Sequence, residues 1–431
     1  MSDSDRLDLI IIGGGIGGVI CLKYAKSAGL NAVLLERKDG VGGIWRDLPR
    51  WQDIQFRKED WTLGRLPIAG EDQASILGNI QSWVDRFELT PSMRFNADVT
   101  SARPVGDGWE VAVGGQTYRS RYLVAATGGH NRAVIPQLDR IRPAIREYHS
   151  STLMDPTEVT GKDVVVVGGG ASAYDLLDLC FENNARRVVW VYRSLKWMRP
   201  TQKAKYFGTD MRELAKRQML GVPVAKLNQV INADLRSRYG KAGILEIMPD
   251  EDFDLRRHQL IPGRRGMIEN FARIERHHGE VLRIEGNTAL LSDGRATACD
   301  LVLWGTGYDV DLSYFEVESL SRIRRLEDLA RRCGMLFLAL DAPNLFFLAP
   351  GVLETSTSTP WAYAHVAKSI VSHIRGNAMF TAEPVAGNIN HYDLVKYLAR
   401  RDRATYLPGL WYLRYLRTAL WYPRNRPMPI P

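Results

Sequence analysis

The residues in this chain that could do chemistry fall in two glycine loops, each answered by a charged residue further on. The first loop, Gly13-Gly14-Gly15-Ile16-Gly17-Gly18, follows the apolar run Leu9 to Ile12 and leads to Glu36. The second, Gly168-Gly169-Gly170-Ala171-Ser172-Ala173, follows Lys162 to Val167 and leads to Arg193-Ser194. Spacing of this kind suits a dinucleotide. Gly13 allows the tight turn, Gly15 lets backbone approach a pyrophosphate, and Gly18 lets the helix pack closely on the sheet. In the second loop Gly168 and Gly170 hold the first two places, Ser172 stands between, and Ala173 takes the third as a permitted small residue. The exposed N–H groups at the following helix start favour an anionic diphosphate. Glu36 can accept a hydrogen bond from a ribose 2′-OH, whereas Arg193 suits a 2′-phosphate that a carboxylate would repel. The pair therefore predicts two dinucleotides, the first with a free ribose and the second NADPH.

Each loop needs a strand before it and a helix and strand after it. The first has Leu9–Ile12, an apolar helical segment through Val19, Ile20 and Leu22, and the run Ala32 to Leu35. The second has Lys162–Val167, a helix through Leu176, Leu177 and Leu179, and Arg187 to Tyr192. Between the loops the periodicity predicts a helix over Ile76 to Leu89 and strands at Arg94–Val99, Trp109–Val113 and Thr117–Val124. Val99, which closes the first of those strands, is placed among the cofactor-binding candidates. Small residues at Ala126-Thr127-Gly128 would let backbone lie against a flat ligand. Gly305-Thr306-Gly307-Tyr308 echoes them, and the two read as paired linkers by which the chain leaves the first domain and returns to it. Strand patterns resume at Val281–Ile284, Ala289–Leu291 and Leu301–Trp304, followed by a strand at Leu345–Leu348 and a helix over Pro360–Ile374.

The expected fold is α/β, with two Rossmann-like dinucleotide-binding domains, the second inserted into the first. Residues 1–160 form the first part of the first domain. Residues 161–304 form the second domain, with a helical insert at about 203–270, and 305–400 complete the first. The tail, 401–431, alternates aromatic and basic residues (Trp411, Tyr412, Arg414, Tyr415, Arg417, Trp421, Tyr422). It is expected to pack on the body, on a second subunit as in a homodimer, or on an anionic membrane surface.

A chain of 431 residues is too long for one ordinary core, and 45% apolar with 25% charged residues is globular composition. No run reaches the roughly 18 apolar residues that span a bilayer, and Met1 to Asp8 is too polar for a secretory signal. The four cysteines, Cys21, Cys180, Cys299 and Cys333, are far apart, so neither a zinc site nor a CxxC redox pair is expected, and a reducing cytosol is. The net charge of +8 is dispersed rather than gathered into an arm, which argues against nucleic acid.

Taken in order, these parts resemble the flavin-containing monooxygenase family, with its bacterial and Baeyer–Villiger relatives, over roughly residues 8 to 375. GGGIGG with Glu36 and the turn Gly42-Gly43-Ile44-Trp45 is similar to that family's FAD site. GGGASA with Arg193-Ser194 resembles its NADPH loop and phosphate clamp, and Thr127-Gly128 and Thr306-Gly307 resemble its two linkers. The resemblance implies FAD and NADPH as cofactors. It also implies an FAD-dependent NADPH monooxygenase that inserts one oxygen atom of O₂ into a small organic substrate through a C4a-(hydro)peroxyflavin. Oxygenation at nitrogen, sulfur or an activated carbon would follow. The segment Trp51 to Pro67 corresponds to the stretch that lies across the flavin, and there Gln55, Arg57 and Lys58 are the candidate catalytic contacts.

Some residues depart from the family pattern. Before His149, Pro143 and Ile145 stand where the fingerprint has Phe and Gly, and the Trp-Pro ending of Baeyer–Villiger members is absent, which argues against lactone formation. His149 reads equally as a loop histidine or a functional one. A flavin disulfide reductase would need a CxxC, and a kinase-type phosphate site would need GxxxxGK[ST]; neither is present. An NADPH-dependent oxidase or dehydrogenase without oxygen insertion, and a flavin-binding scaffold, are the remaining alternatives.

Overall fold

Leu9, Ile10, Ile11 and Ile12 are buried without a break, the pattern of a parallel strand covered on both faces. In the computed structural model, which describes residues 7–54, 58–64, 66–200, 217, 221–255, 257–258, 260–333, 338–348 and 359–376, strand Leu7–Ile12 is central to the first sheet. Ala32–Leu35 pairs with it in parallel on one side and Gln116–Ala125 on the other. Gln116–Ala125 is ten residues long and serves two roles. Its first half closes an antiparallel meander with Gly108–Val113 and Val99–Val105, and its last residues lie between Leu7–Ile12 and the late strand Leu345–Phe347. Helix Ile16–Ser27 and the late helix Thr359–Ile374 pack together beside this sheet. The first unit is thus built from both ends of the described chain.

A second, five-stranded sheet is wholly parallel, in the order Ile274–His278, Arg187–Tyr192, Asp163–Val167, Leu301–Trp304, Arg146–His149. Its side chains alternate between two cores, as the two-residue strand period requires. Val164, Val166, Val188, Trp190, Leu301 and Leu303 face the core shared with helices Ala171–Glu182 and Val224–Lys241. Val165, Val167, Val189, Val191, Val302 and Trp304 face the core shared with Val281–Glu285 and Thr288–Leu291. Those two strands belong to a four-stranded sheet with Ala296–Ala298 and Asp139–Ile141. Helices therefore cover one face of the second sheet and a small sheet covers the other.

Strands Asp139–Ile141 and Arg146–His149, which lie within residues 1–160, pair with Val281–Glu285 and Leu301–Trp304. Arg146-Glu147-Tyr148-His149 was hard to read as a strand because it is an edge strand, with one paired side and little need for apolar residues. The expected strand Arg94–Val99 divides: Asn96 turns with φ +53°, ending Met93–Arg94, and Val99 opens the next strand, Val99–Val105. Within the region expected to be helical, the described residues hold one long helix, Val224–Lys241.

Trp109 ties the halves of the first unit together. It is 1% exposed, its indole N–H donates to the Pro343 carbonyl (2.8 Å), and its ring meets Phe315 edge-on at 5.7 Å. Trp109→Ala should lower stability by about 3–5 kcal/mol. A denaturant melt that left the midpoint unmoved would refute that role.

Candidate functional site

The two glycine loops are built on the same hydrogen bonds. In the first, the Gly13 N–H donates to the Leu35 carbonyl (2.8 Å) and the Ala126 N–H to the Ile12 carbonyl (2.8 Å). In the second, the Gly168 N–H donates to Val191 (2.9 Å) and the Gly305 N–H to Val167 (2.8 Å). Each loop is thus pinned to its following strand, and the adjacent linker leaves from the neighbouring strand. The close approach explains the glycines. A Cβ on Gly13 would stand 2.6 Å from the Ala126 carbonyl oxygen, and one on Gly18 would overlap the Gly13 carbonyl. A Cβ on Gly168 would overlap the Gly305 carbonyl in the same way. Where the second loop has Ala173, the linker crossing it is Gly305, whose own Cβ would stand 2.6 Å from the Ala173 Cα.

Helices Ile16–Ser27 and Ala171–Glu182 begin at Gly15 and Gly170 with no side-chain cap and no acid in the first turn. Their first N–H groups keep the positive end of the helix dipole open to an anion. Glu36 is 4% exposed at the edge of the first loop. Its carboxylate accepts from the Gly14 N–H and from the Lys38 N–H (2.9 Å). A carboxylate offers about four acceptor positions, so two remain for a ribose. Glu36 therefore shapes the loop, a structural duty that the sequence did not disclose.

Gly42, Gly43 and Trp45 form a turn folded onto the first loop. The Gly42 N–H donates to the Gly14 carbonyl (2.9 Å), and a Cβ on Gly43 would reach 3.0 Å from the Gly15 Cα. Lys38 Nζ supports the turn through the Gly43 carbonyl (2.8 Å), and Gln73 Nε2 donates to the Trp45 carbonyl (2.7 Å). Trp45 is buried and meets Trp61 edge-on at 5.6 Å. Beyond it, Trp51 Nε1 donates to the Leu153 carbonyl (2.6 Å) and Gln52 Nε2 to the Ser150 carbonyl (3.1 Å), strapping the first unit to the second. Of the candidate catalytic contacts, Gln55 and Arg57 lie outside the described residues. Lys58 is in the short helix Lys58–Trp61, and its ammonium donates to the Ala69 carbonyl (2.9 Å), so it serves as a strut within the segment. Val99 is half-buried where its strand begins, paired with Val113.

At the second loop, Ser194 and Lys196 run across the glycines. A Cβ on Gly169 would overlap the Ser194 carbonyl, and the Lys196 N–H donates to the Gly169 carbonyl (2.8 Å). Ser172 is half-buried in the first turn of the helix. Arg193 is exposed on the rim, where its Nη1 pairs with Glu280 Oε1 at 3.0 Å. The sequence offers Arg193 to a 2′-phosphate; strand register also brings it a protein partner 87 residues away.

Thr127-Gly128 and Thr306-Gly307 lie on two linkers that run as a ribbon. Tyr308–Asp309 pairs antiparallel with Arg132–Ala133, the Val134 N–H donates to the Gly307 carbonyl (3.0 Å), and the Thr306 hydroxyl donates to the Val134 carbonyl. His149, fully buried at the end of its strand, meets the same Gly307 carbonyl through Nε2 (3.0 Å) while Nδ1 accepts from the Ser151 N–H (3.2 Å). Its ring also meets Tyr308 edge-on at 5.0 Å. These contacts require the neutral tautomer protonated on Nε2, and they make His149 an anchor of the return linker rather than a loop histidine.

Burial holds the His149 imidazole below its ordinary range. Its folded value is the lower one, so its contribution to stability is present above about pH 6.5 and is lost as pH falls through the folded value. Thermal melts from pH 8 to pH 5.5 should therefore show a steeper acid loss in the wild type than in His149→Gln. The difference between the two proteins isolates His149 from the other histidines. Parallel curves would refute it.

All four cysteines are free and buried, and burial pushes the thiols of Cys21, Cys299 and Cys333 up to about 12 and that of Cys180 higher still. None is suited to thiolate chemistry. The described residues hold no cluster of His, Cys, Asp and Glu able to bind a metal, and no helix among them is long and apolar enough to cross a membrane. The aromatic and basic tail lies outside the described residues.

Residues 10–219 match the family model described as pyridine nucleotide-disulphide oxidoreductase. Flavin-containing monooxygenase 5 of Rattus norvegicus is 23% identical over 345 residues, 72% of this chain and 63% of that protein. The chain thus spans less than two thirds of that relative's length. The 4-hydroxybenzoate brominase (decarboxylating) of Marinomonas mediterranea is 22% identical over 363 residues, covering 79% of this chain and 69% of the relative. Among solved structures, OTEMO in complex with FAD and NADP shares the fold with a TM-score of 0.66 at 17% identity, over 86% of this chain and 84% of that one. In motif order and sequence the chain is similar to flavin-containing monooxygenases, and in fold to a monooxygenase solved with FAD and NADP.

Proposed function

We propose that this chain binds FAD at the first glycine loop and NADPH at the second, and uses them to insert one atom of O₂ into a small organic substrate. The observation that carries the reading is the duplicated loop: two uncapped helix starts, each pinned to its sheet by the same pair of backbone hydrogen bonds, and two linkers joined as a ribbon. The residues present fit the two groups. Glu36 keeps acceptor positions for a hydroxyl pair, and Arg193 offers a rim cation to a phosphate. Held there, FAD would supply the redox chemistry between NADPH and O₂. This chain's own residues bind and orient. Gly13, Gly15, Gly18, Gly42 and Gly43 let the first loop and its turn close on one another with the helix N–H groups left for the flavin's diphosphate, Trp45 braces the turn, and Gly168, Gly170, Ser172, Ala173 and Ser194 build the second loop for NADPH.

We read the chain as a flavin-binding unit in two pieces, with the nicotinamide unit inserted between the linkers, and the four buried thiols suit a reducing cytosol. The tail is the candidate for contact with a second subunit or an anionic membrane. Oxygen transfer to a soft nitrogen or sulfur, or to a carbon activated by them, is the expected reaction. ¹⁸O₂ supplied with NADPH and a panel of amines, sulfides and ketones should label a product. Hydrogen peroxide as the sole oxygen product across that panel would make the protein an oxidase.

A further inference from the structure

We propose that Glu280 sets how strongly the second nucleotide site prefers a 2′-phosphorylated cofactor. The inference rests on the reading of Arg193 as the phosphate contact. Strands Arg187–Tyr192 and Ile274–His278 run parallel with Tyr192 opposite His278, so the residues that follow them emerge side by side on the rim of the glycine loop. Two further bonds hold the pair of turns together. The Gly279 N–H donates to the Tyr192 carbonyl (2.8 Å), and His278 Nε2 meets the Arg193 carbonyl (2.9 Å). Glu280 is clamped in turn at Ser292: its backbone N–H donates to Ser292 Oγ (2.9 Å) while its carbonyl accepts from the Ser292 N–H (2.9 Å). The backbone at Glu280 is therefore fixed, and its carboxylate sits 3.0 Å from the Arg193 guanidinium.

Arg193 and Glu280 side chains are 77% and 47% exposed. A pair that open to water adds little to folding, and an arriving phosphate can displace it. A 2′-phosphate carries close to two negative charges at neutral pH. It gains Arg193 but must compete with Glu280 for the guanidinium and lie beside a like charge. A 2′-hydroxyl meets no such opposition. Arg193 thus raises the preference for NADPH and Glu280 moderates it. Glu280→Gln keeps the size of the side chain and an acceptor for Arg193, and removes only the charge.

The test is calorimetric titration of the flavin-loaded, full-length protein with 2′,5′-ADP and with 5′-AMP, probes that differ only in the 2′-phosphate. Glu280→Gln should tighten 2′,5′-ADP about three- to tenfold, leave 5′-AMP within about twofold, and lose the gain at high salt, as a screened rim charge must. The kcat/KM ratio of NADPH to NADH should rise in step. Arg193→Ala separates the two claims. If it collapses the discrimination between the probes while Glu280→Gln leaves it unmoved, the phosphate reading stands and the role of Glu280 is overturned. Weaker 2′,5′-ADP binding in Glu280→Gln overturns it as well, since Glu280 would then be aiming the guanidinium. If Arg193→Ala leaves the discrimination intact, the phosphate lies elsewhere and the reading of Arg193 falls first.

Discussion

Glu36→Arg should emerge from purification with little bound FAD. The wild-type carboxylate is 4% exposed and accepts from the Gly14 and Lys38 N–H groups, with acceptor capacity left for a ribose. Reversing its charge orphans those two donors and puts a buried cation beside Lys38, so loop geometry and ribose contact are lost together. Hydrogen bonds to a charged group contribute about 1.5–3 kcal/mol each, and loss of one ribose contact alone should weaken FAD roughly ten- to a hundredfold. Glu36→Gln separates the two effects, because the amide can still accept from one loop N–H. It should keep the far-ultraviolet circular dichroism of the wild type and bind FAD with intermediate affinity. Ultrafiltration followed by flavin absorbance reads both variants. Wild-type affinity in the charge reversal would show that Glu36 does not face the flavin.

Arg193→Ala should erase most of the preference for NADPH over NADH. A charge-assisted contact to the phosphate is worth about 1.5–3 kcal/mol, or roughly ten- to a hundredfold in kcat/KM. The ion pair with Glu280 moves the expectation to the lower end, since binding exchanges one anion for another on the same guanidinium. A cofactor held less firmly should also leave the reduced flavin less well protected, so hydrogen peroxide formed per NADPH consumed should rise. The measurement is initial rates with both nicotinamides, with a peroxide assay alongside. Equal use of the two cofactors by the wild type, or an unchanged ratio in the variant, would remove Arg193 from the site.

Local pattern made much of the frame legible. Arg187–Tyr192 and Leu301–Trp304 form at the residues expected of them, because buried apolar runs flanked by turns leave little freedom in register. Helix Thr359–Ile374 begins within one residue of its expected start for the same reason. The sequence pattern does not mark strands Asp139–Ile141 and Arg146–His149, and it places Val99 at the end of a strand rather than at the start of Val99–Val105. All lie at sheet edges or on exposed surface, where polar side chains are tolerated and the two-residue period fades. An edge strand pairs with whichever sheet offers it a partner, which local pattern does not reveal.

What the sequence determined by itself was the chemistry of the two loops: the glycine spacing, the acid after one and the arginine after the other, the two Thr-Gly crossings, and the absence of paired cysteines. Each is legible from residue type and spacing alone, although the backbone that crowds Gly13 and Gly168 comes from Ala126 and Gly305 far along the chain. Only the tertiary structure decided what these residues contact. It gave Glu36 two backbone donors, Arg193 its partner Glu280, Lys58 the carbonyl of Ala69, and His149 the carbonyl of Gly307. It also strapped Trp51 and Gln52 across to the second unit at Leu153 and Ser150. The longest of these contacts join residues far apart in the chain, and their partners are chosen by parallel strand register and by the path of two linkers. Neither leaves a mark on local sequence, because the hydrogen bonds that fix them run largely through backbone groups that every residue shares.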